Sequence, residues 1–73
     1  MDNILFKQIR LTLGMGQIEF AKMLGVSQSY VGMIETGRRI PTDRIIQKLK
    51  KEVDHDLIQQ VDELLNLRFT LEK

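Results

Sequence analysis

The stretch Gln17 to Thr36, QIEFAKMLGVSQSYVGMIET, decides how this chain folds. Its apolar residues stand at Phe20, Met23, Leu24 and Val26, then at Val31 and Ile34, so spacings of three and four recur on both sides of Gly25. Each half reads as a short amphipathic helix with one buried face. Gly25 directly follows the first periodic run, where a helix end commonly needs a left-handed residue that glycine adopts without a side-chain clash. Ser27 precedes the second run, and its hydroxyl can accept a hydrogen bond from a first-turn backbone N–H, so it is expected to cap that helix. Ala21 falls on the inner face, where its methyl side chain lets a second helix cross closely.

Two arrangements fit this pattern: an αα-hairpin of any small bundle, and a helix-turn-helix unit whose second helix enters a DNA groove. Periodicity and the glycine do not separate them. Working outward, Leu5 or Phe6, Ile9 and Leu13 keep helical spacing, with Asp2 or Asn3 as N-cap and Gly14 just past the end, which predicts a first helix over 3–13. After the central stretch, Gly37 closes the third helix and Pro41-Thr42 starts a fourth, with Ile45, Ile46, Leu49 and Val53 as its inner stripe. Asp54-His55-Asp56 is a polar break with capping chemistry, and Leu57, Val61, Leu64, Leu65 and Arg68 predict a fifth helix ending near 68. No segment alternates like a strand. The expected fold is all-α, a compact five-helix arrangement in a single domain spanning 1–73.

Seventy-three residues hold one modest core and no roomy enzyme cleft. The chain has no cysteine, which excludes disulfides and zinc fingers and is compatible with a reducing cytoplasm. Its apolar runs are too short for a membrane span, and no positive N-terminal region leads into a hydrophobic stretch. The net charge of +1 conceals a split after Val53. Residues up to that point carry nine basic and five acidic side chains, whereas the remainder has Arg68 and Lys73 against five carboxylates. A basic part containing the central stretch suits a phosphate-facing surface, and an acidic remainder suits a face turned away from it.

With its flanks, the central stretch resembles the lambda-repressor-like, or XRE, family of helix-turn-helix regulators. The matching residues are Ile9-Arg10, Leu13-Gly14-Met15, Gln17, Ala21, Leu24-Gly25-Val26-Ser27, Tyr30-Val31, Ile34-Glu35, Gly37 and Pro41, in order and without gaps. The resemblance implies sequence-specific binding of a double-stranded DNA operator through helices 2 and 3. It places Gln28 and Ser29 at the reading end of the recognition helix, where a glutamine can bond adenine in two places, with Gly32 and Met33 one turn further along. It assigns phosphate contacts to Gln17, Thr36, Arg38, Arg39 and Arg44, which add affinity without sequence information. Arg10 and Glu35 are implied as a structural pair locking the recognition helix to helix 1. Gly16 departs from the family's usual serine or threonine cap, which puts a hydroxyl contact there in doubt, and Gly32 is a glycine inside a helix, read either as close approach to DNA or as an indifferent exposed position.

Residues 56–73 are expected to form a dimerisation helix and tail. Ile58, Leu64, Leu65 and Phe69 add more apolar surface than the monomer core needs, and a symmetric homodimer is the natural outlet, the alternative being packing back onto helix 1. Such a dimer would set two recognition helices about 34 Å apart on an inverted repeat. The expected function is a cytoplasmic transcriptional repressor with no cofactor and no catalytic or metal site; the family also admits a protein effector or anti-repressor as partner. Antitoxins and restriction-system controllers of the same fold are alternatives, as is a protein-interaction module that has lost DNA binding.

Overall fold

A computed structural model describes the backbone of residues 1–71 and the side chains of residues 1–67. Five helices follow one another: α1 (Asn3–Thr12), α2 (Gln17–Leu24), α3 (Gln28–Glu35), α4 (Asp43–Glu52) and α5 (His55–Leu71), and no strand occurs among the described residues. Side chains cap the starts of α1, α3 and α4. The Asp2 carboxylate accepts from the Leu5 amide at 2.7 Å, the Ser27 hydroxyl from Tyr30 at 3.1 Å and the Thr42 hydroxyl from Ile45 at 3.3 Å, which satisfies donors that a helix start leaves unpaired. Asp54 accepts from the Asp56 amide at 2.9 Å where α5 begins, so the polar break is the start of that helix, with His55 as its first residue. Helix α5 also runs three residues past the expected end, to Leu71.

The turn between α2 and α3 rests on Gly25, whose φ of 74° lies in the left-handed region. Its conformation lets the Val26 amide donate back to the Ala21 carbonyl at 3.0 Å, closing the helix end, and two residues later Ser27 starts α3. Helix α2 packs against both α3 and α4, while α1 packs against α3 and α5. Ala21, 3 % exposed, stands on the inner face of α2.

Phe6 of α1 and Phe20 of α2 are fully buried at the centre, their rings edge to face with centroids 5.2 Å apart. Ile9, Leu24, Val31, Ile34, Ile45, Leu49 and Val53 surround them, and α5 adds Ile58 and Val61. Ile58 therefore belongs to the core of one chain, which corrects its expected place on an outward stripe: α5 lies along α1, and the side facing α1 carries Ile58. Leu65 is half-buried against the same core, whereas Leu64 remains 66 % exposed. Phe69, the fourth residue of that stripe, lies outside the described side chains. Among the described residues no helix is long and apolar enough to cross a membrane.

Candidate nucleic-acid interface

The outer surface of α3 follows from which of its residues are consumed by the core. Val31 and Ile34 are buried, so a helix turning 100° per residue presents Ser29, Gly32, Met33 and Thr36 on the other side, with Gln28 at its edge. Gln28 and Ser29 are exposed, and Gly32 and Met33 are half-buried. Met15 and Met23, by contrast, pack against the core. The glutamine at the start of α3 thus stands free at the end of a helix whose far side is anchored.

Arg10 and Glu35 provide the anchor. The guanidinium of Arg10 donates to Glu35 through Nε at 2.6 Å and through a terminal nitrogen at 3.0 Å, and its other terminal nitrogen donates to the Met15 carbonyl at 2.8 Å. The two side chains retain 10 % and 4 % of their exposure, so the bond joins α1 to the last turn of α3 largely out of water. A two-pronged arginine–carboxylate contact fixes direction as well as distance. Burial opposes ionisation of Glu35, but the hydrogen bonds from Arg10 and Gln17 and the positive charges of Arg10 and Lys7 outweigh it and hold its pKa below the ordinary value. The Glu35 hydrogen bond raises the Arg10 pKa against the opposing effect of burial.

Gln17 enters this network. Its Nε2 donates to Glu35 Oε1 at 3.1 Å, which ties the first residue of α2 to the last residue of α3. The amide keeps a second N–H and its carbonyl oxygen for an external group. Gly16 before it makes no side-chain cap bond, so the first N–H groups of α2 are left without that partner. Asn3 adds a further clamp, since its side-chain amide donates to the Glu35 carbonyl at 3.3 Å. The Asn3 clamp and the Met15 carbonyl are not legible in the sequence, because each bond has a backbone carbonyl as acceptor that only the fold brings near the donor.

Past α3 the backbone amides of Arg38 and Arg39 both donate to the Met33 carbonyl, at 2.8 and 3.1 Å, which fixes these arginines immediately beside the end of the helix. Both are exposed, as is Arg44 in the first turn of α4. Thr36 differs from the others. Its hydroxyl donates back into α3, towards the Gly32 and Met33 carbonyls at 3.1 and 3.3 Å, so its proton is already engaged. Arg44 also borders an open groove of about 960 Å³ between the α2–α3 turn and α4, with Val26, Tyr30 and Ile45 on its floor and Lys48 and Lys51 on its rim. Sequence reading passed over these lysines, although the interval from Arg44 to Lys48 to Lys51 puts three cations on one helical side.

A helix-turn-helix family model matches residues 6–52, which takes in α1 from Phe6 onward, α2, α3 and α4, and every feature just described except Asn3. The chain belongs to the lambda-repressor-like helix-turn-helix family. It is thereby a DNA-binding regulator of the helix-turn-helix type. No curated protein and no solved structure matches the chain. In this helix-turn-helix protein the matched span ends at Glu52, so α5, with its exposed Leu64 and Leu67, lies outside it.

Proposed function

We propose that this helix-turn-helix protein is a cytoplasmic transcriptional repressor that occupies an inverted-repeat operator as a homodimer. The reading rests above all on the free outer side of α3, where Gln28, Ser29 and Met33 are available to base edges while the Arg10–Glu35 bond holds the helix still. In this reading Gln28 bonds a base in two places, Ser29 makes a lesser polar contact and Met33 touches a thymine methyl. Arg38, Arg39 and Arg44 bond phosphates, and Gln17 with the open start of α2 holds a further one. Thr36 is left out, since its proton is committed within α3. Leu64 and Leu67, 66 % and 54 % exposed on α5, support the dimer, because apolar side chains on one helix gain by meeting their symmetry mates.

Three arginines on each protomer bring six cations to a dimer's operator. Counterion release then makes affinity fall roughly a thousandfold between 50 and 200 mM salt. Titration of a labelled duplex across that range checks the expectation, and a shallow slope would remove the phosphate contacts. Selection of bound sequences from a random pool tests the whole proposal. Two half-sites in inverted order, centred about one DNA turn apart, are expected; a lone half-site would refute the dimer.

Gln28→Ala is expected to relax preference at one base pair per half-site at a cost of about 1–3 kcal/mol, with binding to random duplex nearly unchanged. Comparison of affinities across single-base operator variants reads this out. An equal loss on operator and random DNA would instead move Gln28 among the phosphate contacts.

A further inference from the structure

Gly32 occupies a place that the fold does not reserve for glycine. It lies inside α3 with an ordinary helical backbone, unlike the glycines with left-handed φ that end helices in this chain. A Cβ built at this position meets only the side-chain amide of Gln17, whose oxygen and nitrogen are both 4.0 Å away, an ordinary van der Waals separation. Neither backbone conformation nor packing excludes alanine, which is the better helix former. The glycine thus lowers the stability of α3 without a structural return. Its position accounts for it, since Gly32 follows Gln28 by one turn and precedes Thr36 by one turn at the middle of the outer side.

We propose that Gly32 is a positioning residue whose missing side chain lets α3 seat deeply enough in the major groove for Gln28, Ser29 and Met33 to reach base edges. The inference rests on the DNA-binding reading above. A side chain on a helix leans over the turn that precedes it, so one at position 32 would project between Gln28 and Gln17. Gln17 cannot readily swing aside to admit it, because its amide is bonded to Glu35, which Arg10 holds in turn. Any longer side chain must then point outward, into the space of the DNA. Base contacts demand hydrogen-bond distances near 3 Å and fail when the helix is held off, whereas Arg38, Arg39 and Arg44 sit on long exposed side chains that follow a phosphate through such a retreat. Filling the gap should therefore erode discrimination between sequences more than it erodes binding as such.

The test uses the full chain with Gly32→Ala and Gly32→Gln, both residues being good helix formers. Thermal unfolding and affinities for a selected operator and a scrambled duplex are measured at one salt concentration. Gly32→Ala is expected to raise Tm by about 4 °C, and Gly32→Gln should melt no lower than the wild type. The ratio of operator to scrambled affinity should fall a few-fold in Gly32→Ala and about tenfold or more in Gly32→Gln, while scrambled affinity stays within about twofold. If Gly32→Gln keeps the wild-type ratio, or if both variants melt below the wild type, the positioning role is overturned. A wild-type chain that does not distinguish the two duplexes would overturn the DNA-reading function itself, and this inference with it.

Discussion

Glu35→Ala is expected to destabilise the fold by about 3–5 kcal/mol, because it strands the Arg10 guanidinium where little water reaches it. The loss reaches beyond the pair. Gln17 loses the acceptor for its amide, and the last turn of α3 keeps the Asn3 bond to the Glu35 backbone carbonyl and its apolar packing as ties to α1. A chain of this size has on the order of 0.1 kcal/mol of stability per residue, roughly 7 kcal/mol in all, so the variant should sit near its unfolding midpoint on modest warming. Chemical denaturation at pH 7 measures the loss. A double replacement, Arg10→Met with Glu35→Leu, should recover most of it, since exchanging a buried pair for apolar groups of similar volume is often neutral. If the double variant is as unstable as the single one, the network is needed for folding as well as for aiming α3. Acid provides an independent check. The Glu35 pKa is lowered in the folded chain, so its contribution is complete above the ordinary glutamate value of about 4.3 and is lost as pH falls through the lower folded value. Glu35→Gln should flatten that part of the acid transition.

Phe20→Ala is expected to cost about 3–5 kcal/mol, a large part of the chain's stability, and it should lower Tm by more than about 10 °C. Phe20 has no exposed surface, and its ring meets the edge of Phe6 across the contact between α2 and α1. Removal leaves a void beside Phe6 in the buried cluster, and a five-helix core this small has few side chains able to close over it. Circular dichroism as a function of temperature measures the outcome; a folded variant losing under 2 kcal/mol would show that the neighbouring helices collapse into the gap. The aromatic contact itself is separable. A cycle of Phe6→Leu, Phe20→Leu and the double variant should reveal a coupling of about 0.5–1.5 kcal/mol between the rings.

The contrast between these two sites shows what is legible along the chain. Phe20 stands out as core because it sits on a helical stripe that periodicity identifies, and the same spacing narrows the residue of α1 to Leu5 or Phe6. Glu35 does not stand out, since a lone glutamate near a helix end ordinarily reads as a solvated charge. Only the resemblance joined it to Arg10, and only the fold added Gln17, Asn3 and the Met15 carbonyl. Ile58 failed in the opposite direction. The period of α5 does not say which of its apolar residues faces α1, and a stripe broad enough for two readings was divided at the wrong residue. The bond from the Thr36 hydroxyl to the preceding turn was equally hidden, because such a bond depends on the side-chain rotamer and not on residue spacing.

By itself the sequence determined the five helices, the cap at Ser27, the start of α4 at Pro41-Thr42 and the left-handed turn at Gly25, and it narrowed the first cap to Asp2 or Asn3. These features depend on interactions within about four residues, and short-range chemistry is written directly in residue order. Tertiary structure alone decided which side of α5 is buried, which donors converge on Glu35, and that Gln17 borders the space beside Gly32. Those outcomes join residues 15 to 32 positions or more apart, and their geometry exists only once α1, α2, α3 and α5 have packed around Phe6 and Phe20.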